Sequence, residues 1–289
     1  MKIKLRYNFL KGVISVITLL YVVHSMNAQV TIPHKGQPNL PKETAIVSVL
    51  PKKKHLWIFI MAGQSNMAGR AFISPQDTIP NAKILTVTQQ HEWAYAKAPL
   101  HRYKPKLMGL DCGRSFAEEI LEATSDSIHI ALLPCAVGGT SIKEWLGDSL
   151  RKNVRLYTNL KEQVTFAKQY GTIKGMLWHQ GESDANTGLL TSYKDHLLET
   201  VQRIRTEVNN PALPIIIGEL GKNNRNVNNQ MNREVINKIL LEVSNDDEYM
   251  RLVSSKGFTT FDGYHFDNTS VKLMGKRYAQ AFMNLSNGE

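Results

Sequence analysis

The sequence predicts an α/β fold in which a parallel sheet is covered by helices on both faces. Short apolar runs, typical of strands buried on both faces, alternate with amphipathic helical stretches. The predicted strands are residues 55–62, 84–88, 128–134, 175–179 and 214–219. The predicted helices are residues 114–124, 156–170, 192–208, 228–243 and 269–285. This alternation favours a parallel sheet within one domain, and the sequence has no internal repeat.

The apolar residues of the predicted helices recur at helical spacing. In residues 114–124 they are Phe116, Ala117, Ile120 and Leu121. Residues 192–208 carry a similar stripe, which consists of Leu197, Val201, Ile204 and Val208. Such stripes are typical of helices that pack on a core, so they predict packing rather than a cofactor site.

The N-terminus has the pattern of a secretory signal peptide over residues 1–28. Four basic residues precede an apolar run at residues 12–23, and small residues around Ala28 follow it. We expect cleavage after Ala28 and export to the periplasm or the extracellular space. An uncleaved N-terminal anchor is the alternative. No cysteine follows the apolar run, which argues against a lipid anchor.

Residues 29–54 are predicted to form an extended leader before a folded domain at residues 55–289. The leader contains four prolines and ends in three consecutive lysines at positions 52–54. We interpret the lysine run as a solvated surface.

The charge balance gives little support to nucleic-acid binding. Residues 1–28 hold four basic and no acidic residues, so their removal lowers the formal net charge from +10 to +6. We therefore expect no nucleic-acid partner and no stable membrane association after cleavage. Weak attraction to acidic polysaccharide remains an alternative to a surface charge that only favours solubility.

Cys112 and Cys135 are the two cysteines of the sequence. An exported chain permits a disulfide, but buried free thiols are an equal alternative. The histidines and cysteines lack the spacing of metal ligands, so no metal site is predicted.

Ser65 follows the first predicted strand within Gly63-Gln-Ser-Asn-Met-Ala-Gly69. The carboxyl ends of parallel strands collect ligands and catalytic groups, and the two glycines permit a close backbone approach. Met67 stands where a Gly-x-Ser-x-Gly elbow would have glycine. Ser65 is the candidate nucleophile, although an isolated serine at such a position is often only a helix cap.

Asp262 precedes His265 by three residues in a turn that contains glycine. This spacing can bring a carboxylate to Nδ1 of the ring and leave Nε2 free to deprotonate a serine. A histidine base also predicts activity that falls in acid. His265 is therefore the candidate base and Asp262 its acid.

Two further segments follow predicted strands. In Trp178-His-Gln-Gly-Glu182, Gln180 can donate its amide to an oxyanion, and Glu182 can orient His265 or a neighbouring loop. Gly138 and Gly139 follow the strand that contains Cys135, and their N–H groups are candidates for the same oxyanion site. The alternative for Gln180 and Glu182 is loop capping.

Together these sequence segments resemble those of the carbohydrate esterase family 6 and sialate O-acetylesterase group of the SGNH hydrolase superfamily. The resemblance covers about residues 55–283 and rests on Gly63-Gln-Ser-Asn-Met, Cys135-Ala-Val-Gly-Gly-Thr, Trp178-His-Gln-Gly-Glu and Asp262-x-x-His265. It implies a flavodoxin-like three-layer α/β/α sandwich and a cofactor-independent deacetylation through an acyl-serine.

The resemblance assigns the nucleophile to Ser65 and the base to His265. It implies oxyanion donors at Ser65 N–H and at Gly138 or Gly139. Gln180 stands where the superfamily has an asparagine donor. Asp262 is preferred as the acid, with Glu182 as a supporting or competing partner. The predicted substrate-binding residues are Asn66, Arg70, Gln89 and Trp93, and a structural role is the equal alternative for the last three.

The predicted function is that of an exported serine esterase for O-acetylated carbohydrate, most consistent with acetylated xylan or its oligosaccharides. A sialate or other sugar O-acetylesterase is the first alternative. A carbohydrate-binding module without activity is the second, and it has no need for a serine, a histidine and an acid together. The absence of a long apolar lid-like segment disfavours a general lipase.

Overall fold

The computed structural model describes residues 44–187, 190–222 and 226–287. Nine strands lie within these ranges. They are β1 (Leu56–Gly63), β2 (Ile84–Val87), β3 (Trp93–Tyr95), β4 (His129–Pro134), β5 (Leu150–Arg151), β6 (Val154–Arg155), β7 (Thr172–His179), β8 (Ile215–Gly218) and β9 (Met250–Val253).

Seven of the strands form one sheet in the order β3-β2-β4-β1-β7-β8-β9, and β5 and β6 form a separate hairpin. Every pairing in the large sheet is parallel except that of β2 with β3. Its five-strand core β4-β1-β7-β8-β9 has the flavodoxin order 2-1-3-4-5 when numbered along the chain. The strand order changes direction between β1 and β7, so these two ends form a topological switch point, where ligands bind in open α/β sheets.

Eight α-helices accompany the strands in the described residues. They are α1 (Ser65–Ala68), α2 (Gly113–Glu122), α3 (Ile142–Leu146), α4 (Leu156–Ala167), α5 (Glu182–Thr187), α6 (Tyr193–Val208), α7 (Val227–Asp246) and α8 (Asn268–Asn287).

The alternating side chains of β1 contribute to two hydrophobic clusters, one on each face of the sheet. Ile58 and Ile60 belong to the cluster that includes residues of α4, α6 and α7. Phe59 and Met61 belong to the cluster that includes residues of α2 and α8. Strand β1 is therefore buried on both faces, which confirms the predicted three-layer α/β/α sandwich.

The predicted strands and long helices are present with shifts of a few residues at their ends. The prediction missed β3, the β5–β6 hairpin and β9. Part of the predicted leader also joins the edge of the sheet, because Val47 N–H donates to Trp93 O at 2.8 Å and Tyr95 N–H donates to Ala45 O at 2.9 Å. Lys52, Lys53 and Lys54 are exposed, as predicted.

The predicted signal peptide, residues 1–28, and leader residues 29–43 lie outside the described residues. Within the described ranges, no helix is both long and apolar enough to cross a membrane.

Cys112 and Cys135 are both buried and both free. Burial raises the pKa of each thiol above its ordinary value. The cysteines therefore contribute to the core as small apolar side chains.

Gly63 makes possible the close contact between the ends of β1 and β7. Its φ is +127°, and a Cβ there would lie within 3.0 Å of three backbone atoms of His179. Gly63→Ala should therefore destabilise the protein by about 2–6 kcal/mol, which combines backbone strain with overpacking. Urea denaturation measures this loss.

Gly257 provides the matched control for this substitution. Its φ is +85°, but no atom lies within 4 Å of the position of an added Cβ. Gly257→Ala should lower the free energy of unfolding only through backbone strain, by about 1–3 kcal/mol. Equal losses in the two variants would show that the contact with His179 is unimportant.

Candidate active site

Ser65 lies at the topological switch point, directly after β1, and is the first residue of α1. The preceding residue connects this turn to the end of β7. Gln64 N–H donates to His179 O at 2.8 Å, and Gln64 Oε1 accepts from Ser183 N–H at 3.1 Å. Ser65 is half-buried, whereas the three residues after it are buried. The fold therefore leaves the Ser65 side chain accessible at a firmly held turn.

The carboxylate of Asp262 holds His265 in the turn between β9 and α8. Asp262 Oδ2 lies 2.7 Å from His265 Nδ1, and Oδ1 accepts from His265 N–H at 2.8 Å and from Tyr264 N–H at 3.0 Å. Partial burial opposes the charge on Asp262, but the hydrogen bonds from His265 and Tyr264 prevail and lower the pKa of this carboxyl to about 2. Because the carboxylate contacts Nδ1, the Nε2 atom of His265 remains available to accept a proton, as a general base requires.

Ser65 and His265 line the same cavity. Its full lining consists of Gln64, Ser65, Gly139, Glu182, Ser183, Asn186, Arg233, Tyr264 and His265. The ring of Phe261 stacks on His265 with centroids 6.0 Å apart. Ser65 and His265, both in the described chain, share no direct hydrogen bond, and such bonds are often long until substrate binds. The structure thus brings the predicted nucleophile and base to one cavity.

Three backbone N–H groups near the serine are candidates for an oxyanion site. Those of Ser65, Gly138 and Gly139 have no acceptor among the described residues. Gly139 lines the cavity with φ of +80°, and an added Cβ there would meet open space. Gly138 is buried, and an added Cβ would lie 3.3 Å from Ser65 Cβ. Of the two glycines, Gly139 is therefore better placed to donate its N–H to an oxyanion in the cavity.

Gln180 does not fit its predicted oxyanion role. Its side chain is fully buried, and Nε2 donates to Thr140 O at 3.0 Å and to Asp184 Oδ2 at 2.5 Å. Asp184 also accepts from Ile142 N–H at 3.1 Å. The amide nitrogen therefore already has protein acceptors and connects the end of β7 to the start of α3, so in this structure it is not directed at an oxyanion in the cavity.

Glu182 lines the cavity but contacts groups other than His265. Its Oε1 accepts from Asn66 Nδ2 at 2.7 Å and lies 3.4 Å from His179 Nε2. Burial raises the pKa of this carboxyl, but the adjacent His179 and the charge of Arg233 outweigh that effect and lower it to about 2. Of the two candidate acids, Asp262 alone contacts the ring of His265 in the described chain.

Asn66, which was predicted to bind substrate, is not among the residues that line the cavity. Asn66 is 2% exposed, and its side chain is engaged within the protein. Its amide nitrogen donates to Glu182, and its Oδ1 accepts from Phe266 N–H at 3.0 Å. Asn66 therefore fixes α1 to the segment that follows His265.

The other predicted substrate-binding residues, Arg70, Gln89 and Trp93, are not among the residues that line this cavity. Trp93 is 6% exposed and packs against Phe166 with ring centroids 5.8 Å apart, so it contributes to the core in this structure. Gln89 lines a different cavity at the end of β2. The guanidinium of Arg70 occupies the space that a Cβ on Gly138 would need, so it lies against this glycine. Burial lowers the pKa of the guanidinium to about 10.

Arg233 is a cavity residue that the sequence analysis missed. It is 1% exposed, Nε donates to Asn229 Oδ1 at 2.9 Å, and Nη1 donates to Gly221 O at 2.7 Å. Its Nη2 has no hydrogen-bond partner among the described residues. The sequence pattern could have identified Arg233, because it lies on the same face of α7 as the buried Ile236 and Leu240. Charged residues seldom occupy such positions without a partner or a function.

Comparison with known proteins identifies the family. The model of the carbohydrate esterases described as sialic acid-specific acetylesterases matches residues 55–284. A protein named as a probable carbohydrate esterase of Arabidopsis thaliana is 35% identical over 178 residues, which cover 55% of this chain and 66% of that relative.

Solved structures show the same fold. The crystal structure of the Arabidopsis protein has a TM-score of 0.69 at 29% identity and covers 79% of this chain and 98% of its own. NanS has a TM-score of 0.67 at 13% identity, with 83% and 100% covered. A carbohydrate acetylesterase of Xanthomonas citri has a TM-score of 0.55 at 22% identity, with 81% and 57% covered. With the family model matched over most of its length, the chain belongs to the sialic acid-specific acetylesterase family of carbohydrate esterases.

Proposed function

We propose that this protein is a serine esterase that removes O-acetyl groups from carbohydrate through an acetyl-serine intermediate. One observation carries the proposal: Ser65 and a histidine oriented by Asp262 line the same cavity, beside backbone N–H groups that have no acceptor in the described part of the chain. A nucleophile, an oriented base and oxyanion donors are the parts that acyl transfer requires.

In the first half of the reaction, Ser65 Oγ attacks the acetyl carbonyl carbon while His265 Nε2 takes the hydroxyl proton. The resulting oxyanion accepts from the N–H groups of Ser65 and Gly139, and from that of Gly138 if it turns toward the cavity. One such donor typically contributes about 2.7–4 kcal/mol of transition-state stabilisation. The tetrahedral intermediate then collapses, the ester C–O bond breaks, and His265 returns the proton to the sugar oxygen.

In the second half, His265 removes a proton from water, and the hydroxide attacks the acetyl-Ser65 carbonyl. Collapse releases acetate and returns the proton to Ser65 Oγ. Asp262 remains ionised and stabilises the imidazolium in both halves, consistent with its lowered pKa.

We propose acetylated xylan or its oligosaccharides as the substrate, with the enzyme acting after export. The charges in the cavity support a neutral sugar. Arg233 shares the lining with Glu182, whose low pKa keeps it ionised, so these two charges offset each other. A carboxylate on the substrate would have to compete with Glu182 for the guanidinium.

An O-acetylated sialic acid is the second candidate substrate. It is favoured by the description of the matching family as sialic acid-specific. This substrate requires the same chemistry, but its carboxylate needs a cationic group. Arg233 lines the cavity, and its Nη2, which has no hydrogen-bond partner among the described residues, would be that group.

Acetate release from acetylated xylo-oligosaccharide and from O-acetylated sialic acid tests both candidates, with Ser65→Ala as the control. We expect release from the xylo-oligosaccharide, with a larger kcat/KM than for the sialic acid, and loss of both in the variant. The opposite preference would identify sialic acid as the substrate. Saccharide binding without acetate release would identify the protein as an inactive binding module.

A further inference from the structure

The β5–β6 hairpin places a lysine in a backbone conformation that usually belongs to glycine or asparagine. Its two turn residues, Lys152 and Asn153, have φ of 51° and 63°. Two positive φ angles in a two-residue turn match the hairpin geometry in which Asn-Gly is preferred. Lysine is an unfavourable choice for such a position, which suggests that its side chain has a function.

The Lys152 ammonium donates to Gly138 O, beside the candidate oxyanion site. That carbonyl belongs to the same peptide group as the N–H of Gly139, which lines the cavity with Ser65. The neighbouring Arg151 donates from Nη2 to Gly139 O at 2.8 Å. Two cations of the hairpin therefore hold the carbonyls of both glycines.

The charges around Lys152 are mostly positive. Arg70 approaches from the end of α1, Lys104 from the loop after β3, and Arg151 from the same hairpin. Glu144 of α3 is paired with Arg151 at 3.0 Å, and no carboxylate lies within 4.0 Å of Lys152 among the described residues. Partial burial and these three cations lower the pKa of Lys152 to about 8. Negative charge developing nearby would relieve this repulsion.

We propose that Lys152 is a positioning residue for the oxyanion site, which orients and polarises the Gly138–Gly139 peptide so that the Gly139 N–H binds the oxyanion more strongly. A charged donor on a carbonyl oxygen draws electron density from the peptide and makes its N–H a better donor. The gain is largest in the transition state, where the acceptor carries charge. The inference rests on the proposed esterase function and adds a residue that does not touch the substrate.

The test compares Lys152→Gln and Lys152→Arg with the unmodified enzyme between pH 6 and 10. Each is assayed on p-nitrophenyl acetate and on acetylated xylo-oligosaccharide. Lys152→Gln should lower kcat about 10-fold on both, with KM unchanged, because it weakens one oxyanion donor without removing it. A saccharide-binding role would instead raise KM for the oligosaccharide alone.

The pH profile separates polarisation from a merely structural contact. The lowered pKa of Lys152 means that the ammonium is present below pH about 8 and is lost above it. The enzyme should therefore lose kcat as the pH rises through about 8. Lys152→Arg should retain kcat and move this loss to higher pH, since arginine stays protonated. Lys152→Gln should show no such loss.

Arg155→Gln is the matched control, because Arg155 is exposed on the same hairpin and its Nη1 donates to Asp148 O at 3.3 Å rather than to either glycine. It should keep the unmodified kcat and pH profile. If Ser65-dependent activity is present but Lys152→Gln keeps its kcat and its alkaline loss, the role of Lys152 is wrong and the esterase function stands. If no Ser65-dependent activity is found on either substrate, the proposed function itself fails.

Discussion

Replacing Ser65 with alanine should lower kcat for acetate release by about 10⁶-fold, the scale seen when the nucleophile of a serine hydrolase is removed. The fold should be unaffected. The Ser65 side chain has no hydrogen-bond partner among the described residues, and it is the first residue of α1 rather than its cap. Alanine is also favourable in a helix. Initial rates and a urea denaturation curve measure the two effects.

Ser183→Ala is the matched control for this experiment. Ser183 lines the same cavity, and it contributes its backbone N–H to Gln64 Oε1, a bond that alanine retains. Its kcat should stay within about 10-fold of the unmodified enzyme, because the proposed mechanism gives the Ser183 hydroxyl no role. Similar rates for the unmodified protein and the Ser65 variant would exclude Ser65 as the nucleophile.

The strands that the sequence predicts correctly are those that lie inside the parallel sheet. Their apolar runs are continuous because helices cover both faces. Strand β9, at one edge of the sheet, was missed because Arg251 interrupts its apolar run. Strand β3 has three residues and pairs antiparallel with β2 at the sheet edge, where side-chain periodicity is too short to identify a strand.

The site shows a similar division between local and distant contacts. The contact between Asp262 and His265 could be predicted because three residues of one turn determine it. The orientation of Gln180 could not, because it depends on Thr140 and Asp184, and Thr140 belongs to a different loop. Arg233 enters the cavity from α7, a helix that none of the sequence motifs includes.

Asp262→Asn should lower kcat by about 10⁴-fold, the effect of the equivalent change in a serine protease triad. Asp262 Oδ2 contacts Nδ1 of His265, and a carboxylate there stabilises the tautomer that has its proton on Nδ1. An asparagine amide can donate to Nδ1 and thereby stabilise the opposite tautomer, whose protonated Nε2 cannot accept from Ser65. The loss should appear in kcat, with the protein still folded and KM little changed.

Comparing Asp262→Asn with Glu182→Gln determines which carboxylate is the acid that orients His265. Glu182 Oε1 contacts Asn66 and His179, so its substitution should lower stability by about 1–3 kcal/mol through loss of a buried charge interaction. Its kcat should fall by less than about 10-fold at a temperature where the variant is folded, because His265 keeps its carboxylate partner. A larger loss for Glu182→Gln than for Asp262→Asn would move the acid role to Glu182. That outcome would require His265 to leave Asp262, with which it makes two hydrogen bonds, during the reaction.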